Sequence, residues 1–198
     1  MTDHLNQNYW EKRYQSQDIK WDIGAISTPI KNWLDLENRK DLKILIPGAG
    51  SGYEVAYAYS LDFQNVYYLD FATNIATDFS NRNPDFPKDQ ILNADFYSLN
   101  KNGFFDIIIE QTFFCSQDPI SRDKYINKSA DLLRNNGKLI GLLFNTLFEK
   151  EGPPFGGNLE DYVQLFENRF NILCFEECNI SIPPRQGNEI WMELQKKK

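Results

Sequence analysis

Three closely spaced glycines, Gly48, Gly50 and Gly52, follow a short apolar run that ends at Pro47. Glycines let a backbone turn sharply and approach a ligand without a Cβ in the way, and a helix after them offers unpaired N–H groups. Tyr53 occupies the third glycine position of the GxGxxG pattern, so the loop has the tighter GxGxG spacing, which does not have to accommodate a pyrophosphate. Alone, the loop is equally compatible with a structural turn.

Two acidic residues stand where later strands are expected to end. Asp70 comes about 20 residues after the glycines, where a carboxylate accepts hydrogen bonds from ribose hydroxyls. Asp95 could accept a hydrogen bond from an adenine amino group while Phe96 packs near the ring. A solvated acid at a strand end is the alternative for each. Together with the glycines, the two acids predict a cofactor that carries a nucleoside.

These residues need a framework that brings several strand ends together. Apolar strands are predicted near 42–46, 65–69, 90–93, 104–110 and 138–144, separated by helical segments, with two more strands near 171–177 and 190–195. One of the helices is expected over 119–133, stopped by the Asn-Asn-Gly sequence at 135–137. The alternation predicts an α/β fold with a doubly wound, mostly parallel sheet. Ligands of such sheets bind beyond the carboxyl ends of the strands.

Composition limits the remaining possibilities. The 198 residues are 41% hydrophobic and 25% charged, as expected of one globular domain, and the net charge of −7 argues against a nonspecific nucleic-acid partner. Three cysteines without CxxC spacing suggest neither a disulfide scaffold nor a metal site. No segment has the length and apolarity of a membrane span or a signal sequence. We therefore expect a cytoplasmic protein, a monomer by default, that acts on a small molecule.

Longer segments resemble the thiopurine methyltransferase family, and most closely its thiol/halide branch. They are an aromatic N-terminal segment at 9–14 and 19–24, IPGAGSGYEV at 46–55, QTFFC at 111–115, GPPF at 152–155 and IPPRQG at 182–187. The resemblance implies a seven-stranded, Rossmann-like sheet of the class I S-adenosylmethionine-dependent methyltransferases over 41–198. It also implies an N-terminal helical lid over 1–40, within one structural domain.

The resemblance further implies which residues contact S-adenosylmethionine. Aromatic rings of the N-terminal segment would lie near the cofactor, which is physically reasonable because a sulfonium cation is attracted to ring faces. Ordinary packing of an amphipathic helix is the alternative for these rings. The full set of implied cofactor-binding residues is Trp10, Tyr14, Trp21, Gly48, Gly50, Gly52, Asp70, Asp95, Phe96 and Gln111.

The implied reaction is in-line methyl transfer to a small soft nucleophile, such as a thiol, sulfide, halide or thiopurine-like sulfur. An anionic nucleophile needs no general base, which suits a chain whose one histidine is His4. Arg122 matches an arginine near the substrate in the thiopurine branch, although it could equally be a surface residue. Phe144 stands where the thiol/halide enzymes have a tyrosine near the transferred methyl, so these two are the expected catalytic positions. Arg185 is either a structural clamp or a cation of the pocket.

Several aromatic residues are expected to wall the pocket, with core packing as the alternative for each: Phe113, Phe114, Phe144, Phe148 and Phe155. Cys115 is expected to be a pocket or core residue and not a nucleophile, since no histidine accompanies it. Other functions stay open. They are methylation of a metalloid oxyanion such as tellurite or selenite, a noncatalytic S-adenosylmethionine-binding protein, and a nicotinamide oxidoreductase, which Tyr53 disfavours.

Overall fold

The computed structural model describes residues 5–198, so His4 lies outside the described residues. Within this range the strands and helices alternate through most of the chain. The helices are α1 (Gln7–Gln15), α2 (Thr28–Leu36), α3 (Tyr53–Ser60), α4 (Thr73–Arg82), α5 (Arg122–Leu132) and α6 (Leu159–Phe166). The strands are β1 (Ile44–Pro47), β2 (Val66–Asp70), β3 (Ile91–Asn93), β4 (Phe105–Gln111), β5 (Leu133–Phe144), β6 (Phe170–Glu177) and β7 (Glu189–Lys196).

All seven strands form one sheet in the order β3-β2-β1-β4-β5-β7-β6. The first five strands pair in parallel, whereas β7 lies antiparallel between β5 and β6. The predicted seven-stranded, mostly parallel doubly wound sheet is therefore confirmed. The strand order reverses between β1 and β4, which leaves a crevice at their carboxyl ends, where ligands of such sheets bind.

Helices cover both faces of the sheet, which explains why the central strands are continuously apolar. Leu45 of β1 packs into a cluster with Tyr125 of α5 and Phe166 of α6. The neighbouring residues of β1 point to the opposite face, into a cluster with Leu34 of α2 and Phe79 of α4. Because both faces are buried, β1 and β4 are held rigidly, and so are the loops that leave their carboxyl ends.

Residues 5–40 contain two helices that differ in burial. None of the residues of α1 is buried, whereas α2 buries Pro29, Ile30 and Leu34 against the sheet. The division of the chain at residue 40 stays a prediction, but α2 is structurally part of the core. Within residues 5–40, only α1 and the segment that follows it have the exposure expected of a lid. Over residues 5–198, no helix is long and apolar enough to cross a membrane.

The predicted helix over 119–133 differs from the structure at both ends. A single 3₁₀ turn spans Pro119–Ser121, α5 ends at Leu132, and β5 begins at Leu133. The Asn-Asn-Gly sequence that was expected to stop the helix lies within β5. There Asn136 has a φ of +61°, and the pairing with β4 is interrupted between Leu133 and Lys138. The turn-forming residues thus make a bulge in a strand instead of a helix end.

Candidate active site

A cavity of about 550 Å³ opens over the carboxyl ends of the strands, next to the crevice between β1 and β4. This volume lies within the range usual for small-molecule sites. Loops after the five parallel strands, α1 with the segment that follows it, and the IPPR segment all contribute walls. The lining residues include Trp10, Arg13, Tyr14, Trp21, Gly48, Asp70, Asp95, Phe96, Thr112, Phe113, Cys115, Phe144, Phe148, Pro154 and Arg185.

Asp70 is the best-defined polar group in this cavity. It ends β2 with 5% of its surface exposed, and its two carboxylate oxygens accept hydrogen bonds from Gly50 N at 3.0 Å and Ala72 N at 2.9 Å. A carboxylate has about four acceptor positions, so acceptor capacity is left for hydroxyl donors of a ligand. Burial raises the pKa of Asp70 to about 6, partly offset by the backbone hydrogen bonds. A ribose, whose two hydroxyls can each donate a hydrogen bond, suits this carboxylate.

The end of β3 supplies the neighbouring wall. Asp95 lines the cavity at the start of a 3₁₀ turn, and Phe96 beside it is buried. The Phe96 ring stacks on Tyr125, with centroids 5.6 Å apart, and meets the Phe113 ring edge-on at 5.3 Å. An apolar ring with a carboxylate next to it is suited to an adenine base, whose amino group donates hydrogen bonds.

The three glycines do not share one role. Gly48 lines the cavity with a φ of +60°, and a Cβ there would overlap the Phe113 ring. At Gly50, with a φ of +50°, a Cβ would lie 3.0 Å from Tyr14 Oη, so the loop packs directly under α1. Gly52 instead faces Phe79 of α4, whose ring a Cβ would overlap, and does not line the cavity. Gly48 lines this cavity and Gly50 lines a small adjoining one, so direct cofactor contact suits these two, while Gly52 permits helix packing.

A small side cavity of about 50 Å³ adjoins the main one, since Trp21, Gly48 and Thr112 line both. Gln111 and Glu54 also line it, and among the described residues Gln111 Oε1 is buried without a hydrogen-bond partner. A buried acceptor of this kind calls for a donor. An ammonium group would satisfy it, so the residues present fit both the nucleoside and the amino acid portion of S-adenosylmethionine.

The rings of Trp10, Tyr14 and Trp21, which we call the aromatic roof, lie over the cavity. Trp21 contacts both of the other rings edge-on, with centroid distances of 5.3 Å to Trp10 and 5.7 Å to Tyr14. The Arg13 guanidinium lies 4.6 Å from the Trp21 ring centroid. Burial, and then the charge of Asp70, raises the pKa of the Tyr14 hydroxyl, which therefore stays protonated at neutral pH. The structure thus brings the predicted roof residues together with Asp70.

Arg185 provides a buried cation on the same cavity. Its guanidinium donates to Glu189 Oε1 at 3.3 Å and to the Trp21 carbonyl at 2.9 Å. The guanidinium carbon also lies 5.5 Å from the ring centroid of Phe144, which lines the cavity. Both roles that the sequence left open for Arg185 are therefore present, because it clamps the N-terminal segment and also lines the pocket.

Arg122 is placed differently from the sequence-based expectation. It is buried, donates to the Gly156 carbonyl at 2.6 Å, and has its guanidinium carbon 5.1 Å from the Phe114 ring. Of the described residues, Arg122, Phe114 and Phe155 do not line the cavity. Phe114 packs in the core, and Phe155 N donates to the Cys115 carbonyl at 2.7 Å. These contacts favour a structural role for all three, whereas Phe113, Phe144 and Phe148 do wall the cavity.

Glu110 was not singled out from the sequence, because its position at the end of an apolar strand gives little signal. It is fully buried, accepts hydrogen bonds from Phe113 N and Phe114 N at 2.7 Å each, and from Tyr125 Oη at 2.6 Å. Burial raises its pKa to about 7. Glu110 thereby holds the loop that presents Phe113 to the cavity. Burial also raises the pKa of the Cys115 thiol on the cavity wall, as expected for a residue that is not a nucleophile.

Comparisons with known proteins identify the family of the chain. The model of the thiopurine S-methyltransferase family matches residues 5–197. A probable thiol methyltransferase 2 of Arabidopsis thaliana is 27% identical over 184 residues, which cover 91% of this chain and 81% of that protein. Thiocyanate methyltransferase 1 of the same plant is 26% identical over the same shares.

Solved structures share the fold. A Burkholderia thailandensis 1,6-didemethyltoxoflavin-N1-methyltransferase, with bound 1,6-didemethyltoxoflavin and S-adenosylhomocysteine, has a TM-score of 0.77 at 16% identity. The match covers 99% of this chain and 89% of that one. The family match, which spans nearly the whole chain, decides the assignment. The chain belongs to the thiopurine S-methyltransferase family and is a methyltransferase whose cofactor is S-adenosylmethionine.

Proposed function

We propose that this methyltransferase acts on a small, soft nucleophile that reaches the cavity as an anion, such as a thiolate, hydrosulfide, halide or thiocyanate. The observation that carries the proposal is the pairing of Arg185 with Phe144 on the cavity wall, 5.5 Å from guanidinium carbon to ring centroid. Arg185 is paired with Glu189, but its guanidinium has more N–H donors than the contacts with Glu189 and the Trp21 carbonyl use. Beside an aromatic ring it therefore offers hydrogen-bond donors and polarisable surface together. That combination suits a soft anion better than a neutral or strongly hydrated acceptor.

The groups around the cavity support an acceptor that needs no base from the protein. The cavity wall within residues 5–198 contains no histidine. Burial raises the pKa values of the Cys115 thiol and the Tyr14 hydroxyl, so both hold their protons at neutral pH. Asp70 is engaged with the glycine loop and suits the ribose. A thiolate bound beside Arg185 could accept hydrogen bonds from the guanidinium, and such bonds favour the ionised form of a thiol even though Glu189 neutralises part of the positive charge.

The remaining task of the protein is to position the reactants and exclude water. When bound, S-adenosylmethionine supplies an electrophilic methyl group on a sulfonium. Asp70, Asp95 and the glycine loop would hold its nucleoside, and the aromatic roof would cover the sulfonium. The rings of Phe113, Phe144 and Phe148 line an apolar space in which the anion would lose its hydration shell. Alignment of the anion with the sulfur–methyl bond in such a space accounts for the rate.

The experiment is a headspace assay for volatile methylated products. Purified protein and S-adenosylmethionine are supplied with iodide, thiocyanate, hydrosulfide or a small thiol. A thiopurine, tellurite and selenite are supplied in parallel, and their turnover is followed by the formation of S-adenosylhomocysteine, because their directly methylated products are not volatile. We expect turnover with at least one soft anion, and kcat/KM reduced about tenfold or more in Arg185→Leu, because the guanidinium donors are then lost. The dissociation constant of S-adenosylhomocysteine is measured in the same variant, because Arg185 also holds the Trp21 carbonyl. Exclusive turnover of the oxyanions or of the thiopurine would refute the proposed acceptor class.

Phe144→Tyr tests the pocket wall itself. It adds one hydroxyl at the position where the thiol/halide enzymes carry tyrosine, on a ring whose centroid lies 5.5 Å from the Arg185 guanidinium carbon. We expect the ranking of acceptors by kcat/KM to change while the dissociation constant of S-adenosylhomocysteine stays the same. Phe148→Tyr, on the ring that meets Phe144 edge-on at 5.1 Å, is the matched control. An unchanged ranking in Phe144→Tyr would place the acceptor away from this wall.

A further inference from the structure

We propose that Glu11 is a positioning residue for cofactor binding. Its carboxylate caps helix α4 from outside and thereby ties the aromatic helix α1 to the loop that carries Asp70. This inference rests on the cofactor and not on the methyl acceptor proposed above. It concerns how the aromatic roof is held in place, and how tightly the protein retains its cofactor.

Helix α1 is linked to α4 through hydrogen bonds, in addition to the ring contacts of Trp10 and Tyr14 with Trp21. It has no buried residue, although Trp10, Arg13 and Tyr14 on it line the cavity. Glu11 provides two of its links to α4, because Glu11 Oε1 accepts a hydrogen bond from Thr73 N at 3.0 Å and the Glu11 carbonyl accepts one from Asn74 Nδ2 at 3.0 Å. Because α1 has no fully buried residue, its docking depends on these hydrogen bonds as well as on the ring contacts with Trp21.

The start of α4 needs an external acceptor. The first N–H groups of a helix have no partner inside it, and a polar side chain at the N-cap usually supplies one. The N-cap of α4 is Ala72, whose side chain cannot do so. Asp70 Oδ1 accepts from Ala72 N at 2.9 Å, and Glu11 accepts from the next amide, Thr73 N. A carboxylate at this end of a helix is also favoured by the helix dipole.

The same contact is continuous with the ribose-binding carboxylate. Thr73 Oγ1 donates to Asn93 Oδ1 at 3.0 Å, and Asn93 Nδ2 donates to the Asp70 carbonyl at 2.9 Å. Gln7 of α1 donates both to Glu11 Oε1 at 3.0 Å and to Thr73 Oγ1 at 3.2 Å. Two residues of α1 are therefore joined to the ends of β2 and β3. Docking of α1 and placement of Asp70 should be coupled, since they share this hydrogen-bonded network.

The first test compares Glu11→Ala with Glu11→Gln, and with Lys12→Ala, an exposed position on the same helix, as the control. Dissociation of S-adenosylhomocysteine is followed by stopped-flow tryptophan fluorescence, since Trp10 and Trp21 lie in the roof. We expect Glu11→Ala to increase the dissociation rate roughly 3- to 30-fold, the range that corresponds to a lost helix cap. Glu11→Gln keeps an acceptor oxygen and should recover most of this loss, and Lys12→Ala should match the original protein.

The second test removes the donor. Thr73 is the first residue of α4, where proline is well tolerated because its missing N–H has no partner within the helix. Thr73→Pro and Thr73→Ala both lose the hydroxyl, but only the proline variant loses the amide that Glu11 accepts from. We expect faster dissociation in Thr73→Pro than in Thr73→Ala. Adding Glu11→Ala to Thr73→Pro should cause little further change, because the shared contact is already lost.

Thermal melting separates positioning from simple stabilisation. If Glu11→Ala lowers the melting temperature but leaves the dissociation rate of S-adenosylhomocysteine unchanged, Glu11 only stabilises the fold and the proposal is wrong. Equal rates in Thr73→Pro and Thr73→Ala would likewise overturn it. Faster dissociation in Glu11→Ala with a normal far-ultraviolet spectrum, recovered in Glu11→Gln, would establish the positioning role whatever the methyl acceptor is.

Discussion

The binding of S-adenosylhomocysteine should weaken as the pH falls below about 6, because of Asp70. In the cofactor-free protein burial raises the pKa of this carboxyl to about 6. Ribose hydroxyls would donate to the carboxylate and favour its charged form, so its pKa should be lower in the complex. The complex then binds fewer protons than the free protein, and the affinity rises with pH. From pH 7 to pH 5 the dissociation constant should increase about tenfold, one decade for each unit below the pKa.

The assay is isothermal titration calorimetry of S-adenosylhomocysteine at pH 5, 6 and 7, in two buffers of different ionisation enthalpy, which also counts the protons released. Asp70→Asn is the matched variant. It should bind about 1–3 kcal/mol more weakly at pH 7, because one oxygen is replaced by an amide that cannot accept from Gly50 N or a hydroxyl. It should also lose the pH dependence. Since Glu110 also has a raised pKa, of about 7, an undiminished slope in Asp70→Asn would assign the effect to Glu110 and refute the reasoning.

Three further predictions concern the surroundings of the cavity. The folded pKa of Glu110, about 7, lies above its ordinary value of 4.5, so the cofactor-free protein should lose stability as the pH rises through 7. Glu110→Gln should flatten the dependence of the melting temperature on pH, and an unchanged slope would contradict this. Gly52→Ala should lower the free energy of unfolding in urea by about 1–3 kcal/mol more than Gly24→Ala, because both glycines have positive φ but only a Cβ at 52 overlaps Phe79. Equal losses in the two variants would contradict the packing role. Trp21→Ala should raise the cofactor dissociation constant severalfold in calorimetry, and normal binding would mean that the ring only packs.

The strand ends were predictable because their signals are local. An apolar run followed by a small or acidic residue indicates where a buried strand stops, and parallel strands bring such ends to one edge. Asp70, Asp95 and Phe96 were expected at a shared site on this basis, and all three line one cavity. The order of the strands in the sheet could not be predicted from such local signals, because it depends on which strand edges pair with one another.

What packs above a residue was not predictable from spacing. Gly48 and Gly52 belong to the same glycine pattern, yet Gly48 faces Phe113 on the cavity and Gly52 faces Phe79 of α4. Arg122 was expected near the substrate on the strength of the family resemblance, but it contacts the Gly156 carbonyl. In each case the partner comes from a distant part of the chain. Only the three-dimensional path of α4, or of the loop after β5, decides which face of the residue is covered.

The position of β7 has a consequence for how the chain is made. β7 follows β6 in the sequence but lies between β5 and β6 in the sheet, where it pairs with both. During synthesis, the strands on either side therefore emerge before the strand that joins them, and β6 has no neighbour to pair with until then. An unpaired apolar edge of β5 is exposed to other chains during this interval. A nascent chain stalled before residue 189 would accordingly be prone to aggregation. A series of ribosome-bound chains of increasing length would reveal whether the backbone amides of β5 become protected from hydrogen exchange only after β7 has emerged.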